Sequence, residues 1–139
     1  MSKLHANRSA LLKAFRVLRP GIQSWDGAAR PDVGALLLGV YALECGLKLL
    51  LLHKRGVHVT SRFDKDDDFF THDLNYLLKE VGERVRFRVE QAERPWKAWV
   101  RPEQIHQLYR YGGRFPEPVE RQMAETMSEL FQFIEDNAR

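Results

Sequence analysis

Between residues 84 and 114 the chain interleaves Arg84, Arg86, Arg88, Arg94, Lys97, Arg101, Arg110 and Arg114 with Phe87, Trp96, Trp99, Tyr109 and Tyr111. Cationic side chains neutralise phosphate and flat rings stack on bases, so this mixture suits RNA or another nucleotide ligand. The competing reading is structural: Phe87 and the tryptophans fill core while the arginines pair with acidic stretches. Five histidines offer proton transfer near neutral pH. His53, His58 and His106 lack the spacing of a zinc site, and Cys45, the single cysteine, cannot build one from thiolates. The acidic run from Asp64 to Asp68 fails as a calcium loop, with Phe69 where glycine and Asn75 where glutamate are required. Gly112-Gly113 lacks the Lys-Ser/Thr of a phosphate loop. We therefore expect no metal and no cofactor.

These groups must be positioned by helices. Leu4, Leu11, Phe15 and Leu18 share one face of a first helix that Pro20-Gly21 stops, and a loop around Trp25 follows. Pro31 and Asp32 suit the first turn of a second helix running to about Arg55, with His53, Lys54 and Arg55 before the stop at Gly56. Gly39 and Gly46, seven apart, would let another helix approach closely, from this chain or a second copy. Glu44 and Lys48, in the favourable i,i+4 order, form either a partly buried ion pair or, with His72 and Asp73, a polar network in the core. Thr71 is a candidate cap for a short third helix carrying Leu74, Leu77, Leu78 and Val81. Val85, Phe87 and Val89 alternate with arginines, and Trp96, Ala98 and Val100 alternate after EQAERP. That two-residue period predicts a small hairpin around 84–100, the alternative being a frayed helix. A short helix follows Pro102 up to Gly112-Gly113, and Pro116 and Pro118 introduce a last one with Val119, Met123, Met127, Leu130, Phe131 and Ile134 on its apolar face.

With 139 residues, 44% apolar and 11% aromatic, the chain fits one domain over 1–139. Its net charge of +3 hides blocks: +7 over 1–63, −5 over 64–83, +5 over 84–114 and −4 over 115–139. Val33 to Leu52 is as long as a spanning helix, but Glu44 and Lys48 are costly in a bilayer. A core helix, no membrane role and no secretory signal are the expectation, with a cytoplasmic location.

Three pieces in this order resemble the HEPN domain family: YALECGLKLLLL at 41–52, THDLNYLL at 71–78 and YRYGGRFPEP at 109–118. The family's A-x-E-x-x-L-K helix is matched by Ala42, Glu44, Leu47 and Lys48, its His-Asp-Leu helix start by His72, Asp73 and Leu74. Its Arg-Tyr-Pro turn reads Arg114-Phe115-Pro116 here, with Phe for Tyr. The resemblance, over about 33–135, implies a mainly α, four- to five-helix up-and-down bundle. It also implies a homodimer, formed through the second or the last helix, in prokaryotic defence, toxin–antitoxin or nucleotide-handling systems. Some branches are metal-independent RNases with an Arg-x4–6-His motif, which Arg101 and His106 satisfy in spacing, with Tyr109 nearby and Pro102 where a polar residue is common. Three functions follow as expectations. The first is a non-catalytic module binding RNA or a nucleotide through Arg84, Arg86, Arg88, Lys97, Arg110 and Arg114. The second is an endoribonuclease using Arg101, His106 and Tyr109. The third is a structural dimerisation subunit whose protein partner, encoded nearby, does the chemistry.

Overall fold

The computed structural model describes residues 7–56 and 71–138; Leu4, His58, the acidic run and Phe70 lie outside the described residues. The first helix, α1, spans Arg8–Leu18, with the Asn7 side chain accepting from the Ala10 amide at 2.8 Å. Pro20-Gly21 opens a further short helix, α2, Pro20–Gln23, rather than a loop. Proline in a first turn loses no hydrogen bond that a helix would have made, so the break in one helix serves as the start of the next. The loop begins after it, where Trp25 Nε1 donates to the Ala29 carbonyl at 2.7 Å.

The central helix, α3, is Val33–Arg55. Asp32 caps it from outside by accepting from the Ala35 amide at 3.2 Å, so Pro31 and Asp32 precede the first turn instead of forming it. Gly56 ends it at φ +69°, where a side chain would be strained. A Cβ on Gly39 would lie 2.8 Å from Met127 Sδ, and one on Gly46 would lie 2.7 Å from Ile134 Cδ1 and 3.0 Å from Phe15 Cδ1. The close approach that these glycines permit is thus made within the chain. Among the described residues, α3 alone is long and apolar enough to cross a membrane, and 72% of that apolar stretch is buried inside the protein.

Asp73, not Thr71, caps α4 (Leu74–Glu80): its carboxylate accepts from the Asn75 and Tyr76 amides, while Thr71 Oγ1 accepts from the Asp73 amide. One carboxylate oxygen reaches two first-turn amides from that position, which outweighs a single hydroxyl bond. The hairpin is shorter than the alternation suggests. Strand β1 (Glu90–Gln91) pairs antiparallel with β2 (Trp99–Val100) in the register Glu90 to Val100 and Gln91 to Trp99. Upstream, Phe87 is buried and its backbone N–H and carbonyl both bond the Asn75 side chain, at 2.7 and 2.8 Å. A side-chain amide replaces the missing strand partner there. Of Trp96, Ala98 and Val100, only Val100 is buried.

A 3-10 turn, Pro102–Gln104, leads into α5 (Ile105–Arg110), and Pro116 introduces α6 (Glu117–Asn137). The protein is a mainly α-helical bundle with a small β-hairpin. Leu36, Leu43, Leu47, Leu51, Phe15, Ile22, Met127, Phe131 and Ile134 fill its core, so α3 is clasped by α1, α2 and α6. The helices α4 and α5 also pack on α3, at the level of its only buried charges, Glu44 and Lys48.

Candidate functional site

Glu44 sits mid-helix on α3, 5% exposed, with Lys48 one turn further on and Lys48 Nζ 3.9 Å from Glu44 Oε2. The Asp73 cap fixes the start of α4 and holds His72 just before it, with His72 Nδ1 3.1 Å from both Glu44 oxygens. Asp73 itself spends its carboxylate on the α4 amides. From α5, His106 stacks on His72, ring centroids 4.1 Å apart at 36°, and a donor atom from each of Glu44, His72 and His106 lies within 4.8 Å of the others. His72 keeps 46% of its side chain exposed whereas His106 is 3% exposed. Burial, then the neighbouring His72, holds the His106 imidazole below the usual histidine range, which favours its neutral form. Burial likewise lowers the Lys48 ammonium against the opposing pull of Glu44, and it raises the Cys45 thiol. The seam can move a proton or hold a cation.

The expected catalytic trio is dispersed over three surroundings. The Arg101 guanidinium is exposed and pairs with Glu103 at 3.0 Å, while Arg101's backbone N–H bonds Gln104 at the turn before α5. His106 faces His72. Tyr109 is buried, edge-on to Phe115 at 5.9 Å with its hydroxyl 3.9 Å from Met123 Sδ. Its burial, then Glu120 beside it, push the phenol far above its ordinary pKa, so it keeps its proton at any physiological pH.

The expected nucleic-acid residues divide. Arg84, Arg88, Arg94 and Lys97 are exposed and make no ion pair among the described residues, and the Arg86 guanidinium turns onto the Glu83 and Val85 carbonyls. Beside them Trp99 is 67% exposed, Trp96 47% and Tyr111 65%. Arg110 is exposed and donates to the Tyr41 hydroxyl at 2.5 Å. Arg114 departs from the group. Its Nη2 lies 2.8 Å from Glu120 Oε1 and 2.6 Å from the Pro31 carbonyl, so this arginine ties the turn before α6 to the turn before α3. A groove of about 680 Å³ runs between the extended 85–90 segment and α6, with Arg86 and Arg88 on one wall and Gln122, Thr126 and Glu129 on the other.

No protein-family model matches this chain, and no curated protein or solved structure proved similar to it.

Three residues escaped the reading of the sequence. Glu120 is fully buried and receives Arg30 Nε at 2.8 Å, Arg114 and the Phe115 amide, an ionic knot linking the loop before α3 to α6. Arg30 also bonds the Phe115 carbonyl and Glu93, bringing the foot of the hairpin into the knot. Asn75, which anchors the arginine-rich segment, carried no signal, since one amide on a short helix looks like ordinary surface. For Glu120 a faint signal existed: it is an acid three residues after Phe115-Pro116-Glu117, in the first turn of α6, where a carboxylate is expected to favour the helix dipole.

Proposed function

We propose that this chain is a HEPN-like, non-catalytic module that binds single-stranded RNA on the face formed by residues 84–101, and that it works as a homodimer beside a partner that does the chemistry. The observation that carries the reading is the coincidence on one segment of four cations without an ion pair among the described residues, Arg84, Arg88, Arg94 and Lys97, with Trp96 and Trp99 left exposed. The exposed part of each ring adds nothing to the packing of the fold, whereas stacking on a base recovers about 1–3 kcal/mol each. Phe87 points the other way, into the core, so the segment has an anchoring side and a presenting side. Within one chain Arg101 pairs with Glu103, His106 faces His72 and Tyr109 is buried against Phe115, and this favours binding over cleavage, because phosphate stabilisation and proton transfer need groups free to turn to one reacting site.

The test is fluorescence anisotropy with labelled single-stranded RNA in EDTA at several salt concentrations, the same mixtures then run on a denaturing gel. Affinity should fall with salt, with a log–log slope of about −0.7 per phosphate contacted. Trp99→Ala should weaken binding about 5- to 150-fold, the equivalent of one lost stack, while leaving the melting temperature unchanged. Binding that is absent at low salt, or indifferent to Trp99→Ala and Arg88→Ala, refutes the proposal. RNA cleavage by the wild type that Arg101→Ala abolishes would replace it with the endoribonuclease reading.

A further inference from the structure

We propose that Glu44, His72 and His106 form a binding site for a divalent transition-metal ion, with a further coordination position open to solvent beside His72. Two imidazoles and a carboxylate are a ligand set suited to zinc and its first-row neighbours, and three protein ligands with one open position are the usual form of a site that is not purely structural. The donors arrive from three elements, α3, the residue before the α4 cap, and α5. His72 Nδ1 stands 3.1 Å from the Glu44 oxygens. Two ligands at about 2.0–2.1 Å from one ion, at an angle near 100°, are separated by about the same distance. Donors of a tetrahedral ion lie about 3.3–3.4 Å apart, so three donor atoms within 4.8 Å of one another close on an ion through a shift of about 1.5 Å or less.

A second observation points the same way. His106 Nδ1 is buried and has no hydrogen-bond partner among the described residues. A buried, unsatisfied ring nitrogen is costly and calls for a reason, and an ion or its bound water beside the imidazole would satisfy it. Lys48 works against the site, since its ammonium 3.9 Å from Glu44 Oε2 competes for the same carboxylate. The expected affinity is accordingly modest, and removing that charge should raise it.

The experiment uses untagged full-length protein, stripped with EDTA and desalted. Zn²⁺ is titrated by calorimetry and Co²⁺ by visible absorption, where a d–d band reports the coordination sphere. One ion per chain is expected, with at least the roughly 10- to 100-fold loss of affinity that even an outer-shell change produces in both His72→Ala and Glu44→Gln. Lys48→Met should bind more tightly than wild type, and His53→Ala, on α3 outside the cluster, should match it. His72 is half-exposed and Glu44→Gln preserves shape, so at least one variant retains the native circular dichroism spectrum on which the comparison rests. Sub-stoichiometric binding by the wild type, or equal binding by His72→Ala and Glu44→Gln, overturns the proposal. The RNA-binding face shares none of these ligands, so Trp99→Ala should take up the ion as the wild type does.

Discussion

Glu120→Ala should be among the most destabilising single substitutions in this protein. The carboxylate has no solvent exposure and accepts from Arg30 Nε at 2.8 Å, from Arg114 Nη2 at 2.8 Å and Nε at 3.1 Å, and from the Phe115 amide at 3.4 Å. Removing one member of a buried ion pair costs about 3–5 kcal/mol, because the surviving charge is left without compensation. Here the survivors are two arginines whose side chains remain 30% and 29% exposed, so water can recover part of that loss. We expect about 2–4 kcal/mol for Glu120→Ala. Glu120→Gln, which keeps an acceptor but not the charge, should cost about 1–2 kcal/mol. For a chain of this size each kcal/mol lowers Tm by about 3–4 °C, so the alanine variant should melt well below the wild type. Urea unfolding monitored by circular dichroism gives the free energies. Glu117→Ala is the control: its pair with Arg121 lies on the surface, where such bridges contribute under about 1 kcal/mol. If Glu120→Ala costs no more than Glu117→Ala, the knot does not hold the fold together as argued.

Gly46→Ala tests the packing of α3 against α1 and α6. The added methyl would meet Ile134 Cδ1 at 2.7 Å, Ile134 Cγ2 at 2.9 Å and Phe15 Cδ1 at 3.0 Å; overpacking of about 1–3 kcal/mol exceeds the gain of about 1 kcal/mol in helix propensity, and a variant more stable than wild type in urea would contradict the contact. Glu135 tests electrostatics: hydrogen bonding from Arg16, which together with the attraction and hydrogen bond of Arg19 outweighs the opposing effect of burial, holds its carboxyl below the usual range. A depressed folded pKa means that the stabilisation is present above the unfolded value of about 4.3 and is lost as pH falls through the folded value. Wild type should therefore exceed Glu135→Gln in stability at pH 7, the gap closing below about pH 4.3; a gap that persists at pH 2 would show that packing, not charge, is responsible.

Long elements were legible in the sequence because many weak signals repeat along them. The apolar spacing and basic last turn of 33–55, ended by Gly56, and the apolar face of 119–134 each state a helix several times over. Short elements rest on one residue and fail with it. Thr71 and Asp73 compete for the same cap, and the winner depends on which oxygen reaches two amides; Pro20 reads as a stop and is also a start. The alternation at 84–100 located an extended segment but not its partner, since Phe87 pairs with the Asn75 side chain rather than with a strand. Whether Trp96 and Trp99 turn inward or outward was undetermined for the same reason. Their exposure is set by a two-residue pairing that leaves the turn between the strands projecting from the bundle.

The polar seam shows why spacing rules miss a site assembled by tertiary structure. Zinc-site patterns presume that ligands share a hairpin or a helix, so that sequence separation encodes distance. Glu44 and His72 lie 28 residues apart on separate elements, and His106 comes from a third. The Arg101–His106 spacing is likewise settled only by the fold around it: the 3-10 turn at Pro102–Gln104 leaves Arg101 just before the helix, engaged with Glu103, while His106 faces His72. The six residues of α5 then divide their duties by face: His106 meets the seam, Tyr109 meets the Glu120 knot, and Arg110 reaches Tyr41 at the surface. A perturbation of α5 should consequently be felt in both buried networks at once.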